Sequence, residues 1–122
     1  IHSHQLPNND DGTIAIDHIN QGIHKVEDSH YAQTRLLCLE NTHNVCYGSP
    51  IKPEYFSEVK QTIQPFNIKL HIDGARIFNA SVKLKTSVER LVSESDSVSF
   101  CLSKGLSCPS GSLIVGKQDF II

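Results

Sequence analysis

The sequence predicts an α/β domain in which helices alternate with the strands of a mostly parallel sheet. Short apolar runs at 34–40, 68–72, 97–102 and 113–115 are separated by segments with helical spacing of apolar residues. Strands and helices alternating at this interval build parallel sheets with crossover helices. Three of the runs also end in a polar cluster: Glu40-Asn41-Thr42-His43-Asn44, Asp73-Gly74-Ala75-Arg76 and Ser103-Lys104-Gly105. In open α/β sheets ligands bind beyond the carboxyl ends of the strands, so these exits group distant residues into one candidate site.

Along the chain, residues 1–13 are polar and end in Asn8-Asn9-Asp10-Asp11-Gly12-Thr13, which reads as a surface loop. Ile16, Ile19, Ile23 and Val26 recur at helical spacing, with Asp17 placed as N-cap. Gly22 weakens that helix by up to about 1 kcal/mol. The run at 34–40 is continuously apolar and predicts a strand covered on both faces. After a loop at 41–50, Pro53 opens a helix carrying Phe56, Val59, Ile63 and Phe66, which must end near Gln64 because Pro65 lacks the amide to continue it. A strand over 68–72 and a short helix from Ala75 follow. Thr86-Ser87-Val88-Glu89 has the form of a capping box ahead of Leu91 and Val92. A strand over 97–102, a loop over 104–111, a strand over 113–115 and the start of another helix complete the chain. There are no internal repeats and no low-complexity segments.

Composition narrows the function classes. The 122 residues carry a net charge of −2 and 39% hydrophobic side chains, an ordinary globular balance with no basic patch for nucleic acid. No apolar run approaches the roughly 18 residues of a membrane span. No targeting segment is visible, and the chain begins at Ile1 and stops on Phe120-Ile121-Ile122; it is expected to be a piece of a longer protein. Cys38, Cys46, Cys101 and Cys108 show neither a C-x-x-C pair nor zinc spacing. Cys38 and Cys101 lie in apolar runs and are expected as small buried hydrophobes, with reduced thiols favoured. His2 and His4 are too few to hold a metal, so no metal site is expected.

An acid and a lysine presented at strand ends are what pyridoxal phosphate needs. An amine holds its aldehyde as a Schiff base, and an anion keeps its ring nitrogen protonated. Each residue alone has a plainer reading: Asp73 as a helix cap or turn residue, Arg76 as a surface ion-pair partner, Lys104 as a solvated loop lysine, His43 as a loop anchor. Their joint arrangement is what favours the cofactor.

The runs Leu39-Glu40-Asn41-Thr42-His43-Asn44, His71-Ile72-Asp73-Gly74-Ala75-Arg76-Ile77-Phe78-Asn79-Ala80 and Asp96-Ser97-Val98-Ser99-Phe100-Cys101-Leu102-Ser103-Lys104-Gly105-Leu106 resemble the low-specificity L-threonine aldolases. The similarity extends from about Thr34 onward, through Pro109, Gly111-Ser112 and Val115-Gly116. That family belongs to the fold-type I, aspartate-aminotransferase-like pyridoxal phosphate enzymes. The resemblance implies that residues 1–122 are part of a cofactor-binding large domain, with an upstream phosphate cup and a downstream small domain absent. It implies Lys104 as the Schiff-base lysine and Asp73 as partner of the pyridinium nitrogen. Arg76 would contact the cofactor's ring oxygen or the substrate carboxylate, and His43 would act on the substrate β-hydroxyl, directly or through water. The implied reaction is retro-aldol cleavage of L-threonine or L-allo-threonine, a β-hydroxy-α-amino acid, to glycine and acetaldehyde. The parent would be a cytoplasmic homodimer or homotetramer, an organelle staying open, and the isolated chain is expected to be inactive. Two other readings stand beside this one: another fold-type I enzyme, such as a β-eliminating lyase or a hydroxymethyltransferase relative, and a non-catalytic oligomerisation remnant. The chain departs from the family pattern at Tyr47, where a glycine pair is usual, at Lys85, where glycine commonly ends a short helix, and at Ser107-Cys108-Pro109-Ser110. Tyr47 is expected either to crowd its loop or to need a new backbone conformation.

Overall fold

Alternation along each strand divides the sheet into two chemically different faces. A computed structural model describes residues 2–24 and 32–121. Its elements are α1 (Ile16–Gln21), β1 (Leu36–Glu40), α2 (Pro53–Ile63) with a 3-10 turn at Gln64–Phe66, β2 (Lys69–Asp73), α3 (Ile77–Leu84), α4 (Val88–Val92), β3 (Ser97–Cys101), β4 (Ser112–Gly116) and α5 (Gln118–Ile121). The strands lie in the order β1-β2-β3-β4. β1 with β2 and β2 with β3 pair in parallel, and β4 is antiparallel to β3. The expected mostly parallel sheet is the one observed.

Because the side-chain period of a strand is two, register partners share a face. One face presents Leu39, Leu70, Ile72 and Val98, which bury against Ile19 of α1 and Phe56, Val59 and Ile63 of α2. Each such side chain contributes about 1.5–3 kcal/mol on burial. A second cluster joins Ile77 and Ala80 of α3 to Leu91 of α4, with Phe78 and Phe100 meeting edge to face at 5.7 Å between centroids. The other face aligns Cys38 with His71 and Ser97, and Glu40 with Asp73 and Ser99. This face is polar.

That division corrects the expectation that β1 is covered on both sides. Leu39 is buried, but Leu36 and Cys38 are exposed, since both apolar clusters draw their strand members from the opposite face. Cys38 is therefore not a buried hydrophobe, and Cys101 is only partly covered; all four cysteines are free thiols.

Three local expectations also shift. Ala15, not Asp17, occupies the N-cap of α1; Asp17 lies in the first turn, where its charge complements the exposed amides. The helix stops at Gln21 with Gly22 as its C-cap, and the expected apolar position Val26 lies outside the described residues. α2 ends at Ile63 as Pro65 requires, but the chain continues through a 3-10 turn containing Pro65, closed by Asn67 at φ 53°. The cap of α4 is Ser87, whose Oγ accepts the Arg90 N–H at 3.2 Å. Thr86 is turned back onto α3 instead: its Oγ1 donates to Leu84 O at 3.2 Å and its N–H to Ser81 O at 3.1 Å, closing α3 around the left-handed Lys85 (φ 52°, ψ 42°). Lys85 thus adopts the conformation that favours glycine.

One buried carboxylate joins the layers. Asp96, 3% exposed, immediately precedes β3. Its Oδ2 accepts from Lys60 Nζ of α2 at 2.7 Å and from the Leu70 N–H of β2 at 2.9 Å, and its Oδ1 accepts from Lys117 Nζ beyond β4 at 3.2 Å. Burial pushes this carboxyl up, but the Lys60, Leu70 and Lys117 contacts outweigh it and hold the pKa at about 2. At the amino end, the Tyr55 hydroxyl donates to Ile14 O and accepts the Ile14 N–H, both at 2.9 Å, pinning the first segment to α2. No helix among the described residues is long and apolar enough to cross a membrane.

Two stability predictions arise here. Asp96→Asn is expected to cost about 3 kcal/mol at pH 7, because Lys60 loses its buried counter-charge; urea unfolding measures it. The folded carboxyl titrates at about 2, below its unfolded range. Its stabilisation is therefore complete above about pH 4 and disappears as pH falls through about 2. Wild-type protein should lose stability over that interval, and the Asn variant should lose less. Lys85→Gly relieves a left-handed side chain and should add about 1 kcal/mol, read as a rise of a few degrees in Tm.

Candidate active site

The carboxyl ends of β1, β2 and β3 share one edge of the sheet, and Glu40 and Asp73 are direct register partners there. The main chain at Asp73 is fixed from both sides: its carbonyl accepts the Asn41 N–H at 2.9 Å, and the next amide, of Gly74, donates to Ser99 O at 2.7 Å. A Cβ on residue 74 would stand 3.0 Å from that same oxygen, so glycine permits the close approach of β2 and β3 at this point. Asp73 Oδ1 accepts the Ala75 N–H at 3.0 Å. Asp73 is thus a turn residue, as its plainer reading holds, but Arg76 and not Asp73 caps α3. The turn uses one carboxylate oxygen; among the described residues Oδ2 has no partner, and the residue is exposed.

Asn41 anchors the loop after β1. It is fully buried, donates from Nδ2 to Ile51 O at 3.1 Å and accepts the Ile51 N–H at Oδ1 at 3.0 Å. The peptide between Asn41 and Thr42 is cis. His43 lies just beyond, its backbone bridged to Ser49 by an N–H···O bond of 3.0 Å. Its ring Nδ1 accepts the Cys46 N–H at 3.3 Å, which puts the proton of the neutral ring on Nε2, 3.7 Å from Glu40 Oε2. Tyr47 has φ 58° with its side chain fully in solvent. The residue meets the altered backbone expected of it and crowds nothing.

Arg76 reaches from the start of α3 to this loop, donating from Nη1 to Asn44 Oδ1 at 3.0 Å. That bond joins the second motif to the first. Lys104 lies in the turn after β3, which is closed by Leu102 N–H to Gly111 O at 2.9 Å, Cys108 N–H to Leu102 O at 3.0 Å and Ser107 N–H to Lys104 O at 3.0 Å. Ser107, one of the departures, holds φ 59° in this turn and is exposed. Gly105 fits against Asn79 of α3, where a Cβ would come within 2.4 Å of Asn79 Oδ1. The lysine turn therefore rests on the helix that Arg76 begins. The Lys104 side chain is exposed, and its Nζ has no hydrogen bond or ion pair among the described residues, as in a solvated lysine. An open depression beside Arg76, lined by Thr42, Ser49, Asn79 and Lys83, does not include it.

Sequence reasoning missed several participants. Asn44 and Asn79 depend on contacts between loops that no local pattern announces. His71 was legible, since two residues before Asp73 on a strand means the same face. Its Nδ1 lies 2.7 Å from Ser97 Oγ and its Nε2 3.4 Å from Ser99 Oγ. Burial holds the His71 pKa below the usual histidine range, partly opposed by the Asp73 charge.

Comparisons with known proteins identify the family. Low-specificity L-threonine aldolase 1 of Arabidopsis thaliana is 46% identical over 122 residues, 99% of this chain and 34% of its own length. The low specificity L-threonine aldolase of Escherichia coli K12 is 45% identical over 111 residues, 91% of this chain and 32% of its own. The chain thus spans about a third of the length of these curated relatives. The solved structure of Leishmania major threonine aldolase shares the fold with a TM-score of 0.70 at 18% identity, over 88% of this chain and 31% of that one. The family model for beta-eliminating lyases matches residues 1–122, the strand-exit motifs included, and the chain belongs to that family.

Proposed function

We propose that this chain is part of a pyridoxal phosphate-dependent aldehyde lyase that cleaves L-threonine and L-allo-threonine to glycine and acetaldehyde. The observation that carries the reading is the convergence of three motifs on one sheet edge: Arg76 bonded to Asn44, and the Lys104 turn seated through Gly105 on Asn79. The names of relatives 45–46% identical to it support the same reaction.

The residues present fit the cofactor. Asp73 keeps one carboxylate oxygen free while its other oxygen and its backbone are fixed, as an anion held against a ring nitrogen requires. Lys104 offers an amine with no competing partner among the described residues. When bound, pyridoxal phosphate supplies an electrophilic aldehyde and a protonated ring that accepts the electrons of a breaking Cα–Cβ bond. Asp73 Oδ2 would accept the ring N–H, Lys104 Nζ would hold the cofactor's aldehyde carbon, and Arg76 would orient an anionic oxygen of cofactor or substrate. His43 takes up the substrate hydroxyl proton at Nε2. That role needs the tautomer with Nδ1 protonated, which gives up the long Cys46 bond at a cost of about 1 kcal/mol.

These residues form part of a large domain; the phosphate-binding segment, the small domain and the partner subunits of a homodimer or homotetramer complete the pocket. The chain by itself binds the cofactor without appreciable turnover. Visible absorption of the chain mixed with pyridoxal phosphate, beside Lys104→Ala, tests this. A new band present only with Lys104, and moved by glycine or threonine, is expected, with acetaldehyde release at background. A spectrum indifferent to Lys104 sinks the cofactor assignment. Robust threonine cleavage by the chain alone contradicts the division of the site.

A further inference from the structure

The polar sheet face carries a cluster, just inside the Asp73 edge, to which the proposed chemistry assigns nothing. His71 and Asp73 leave the same face of β2, about 7 Å apart along the strand. Ser97 and Ser99 of β3 are their respective register partners. Ser97, 1% exposed, meets His71 Nδ1 at 2.7 Å, and Ser99 meets Nε2 at 3.4 Å. Ser99 stands beside Asp73 yet gives its hydroxyl to His71. Hydroxyls donate or accept as required, so the pair holds the imidazole in one orientation whether it is neutral or charged.

We propose that His71 is a positioning residue for the Asp73 carboxylate: held between Ser97 and Ser99, its neutral ring leaves the Asp73 charge undivided for a protonated cofactor nitrogen, and its charged ring competes with that nitrogen. This rests on the cofactor reading above. Burial favours the neutral ring, and the Asp73 charge opposes it. Other titratable groups lie near this face: His2, His4 and His24 of the amino-terminal segment line one cavity with Cys38 and Asp73. Cys38 of β1, the register partner of His71, is exposed at its surface, but partial desolvation and then Asp73 push its thiol up, and it stays uncharged near neutrality. Glu40 of β1 is engaged by the Asn44 N–H and by His43. Lys69 of β2 leans to Asp96, 4.0 Å away, and β3 adds Cys101 beyond the two serines. α2, α3 and α4 pack on the opposite face. Asp73 is the anion nearest to His71 along its own strand.

Imidazole 15N NMR of the full chain through a pH titration reads the coupling without cofactor. Asp73→Asn should move the His71 midpoint further down, because a charge that favours imidazolium has gone; by reciprocity bound pyridoxal phosphate should lower it too. Cofactor affinity is then compared at pH 8 and pH 5.5 in wild type and His71→Asn. Wild type should lose roughly three- to tenfold more affinity on acidification than the variant, the size of a charge interaction at about 7 Å in a water-rich setting. A His71 midpoint untouched by Asp73→Asn overturns the proposal whatever the cofactor does. Equal weakening of His71→Asn at both pH values also overturns it, leaving the ring a spacer between strands. If the titrations are coupled but no Lys104-dependent band forms, the cofactor reading fails and the positioning of Asp73 by His71 stands.

Discussion

The Asp96 carboxylate is the contact on which the rest of this structure depends. It accepts from an α2 ammonium, a β2 amide and a lysine following β4 while its own residue leads into β3. Its backbone repeats the linkage, donating to Leu70 O at 2.8 Å and accepting the Lys117 N–H at 3.0 Å. A buried charge is tolerable only when its hydrogen bonds are complete, and here the set of donors outweighs desolvation. The consequence is geometric: the start of β3 is fixed against β2 and α2, so its far end delivers the Lys104 turn to a defined place.

The two-faced sheet separates stability from chemistry. Leu70 and Ile72 of β2 are fully buried on one side, and His71 and Asp73 alternate with them on the other. The same five-residue strand therefore anchors the core and presents a histidine and a carboxylate. Rigid elements position such groups better than loops do. The loops that do contribute are held at few points: Asn41 on Ile51, Arg76 on Asn44 and Gly105 on Asn79.

Much of this was legible from sequence, and for identifiable reasons. Apolar runs and the helical spacing of Phe56, Val59 and Ile63 gave the element order, because burial imposes those periods directly. The polar exits at Glu40, Asp73 and Lys104 followed from parallel pairing, which brings strand ends to one edge. Errors arose where tertiary context decides. Thr86 is consumed in closing α3, so the cap of α4 moves to Ser87. β1 has the apolar content of a covered strand, yet sequence does not say which face a helix will occupy. Asp96 read only as the first residue of a motif; its role depends on Lys60 and Lys117, far away in the chain. Lys85 and Tyr47 stand where the family pattern has glycine, and their left-handed backbones are the physical reason that pattern prefers it.

In the proposed site Asp73 and Lys104, delivered by different strands, act on one ligand. A double-mutant cycle on pyridoxal phosphate binding addresses it, using wild type, Asp73→Asn, Lys104→Ala and the double variant. Two groups gripping one small molecule should show a coupling of about 1 kcal/mol or more. Losses that add to within about 0.3 kcal/mol would mean that the two side chains serve separate sites, and the account of a shared active site would be wrong.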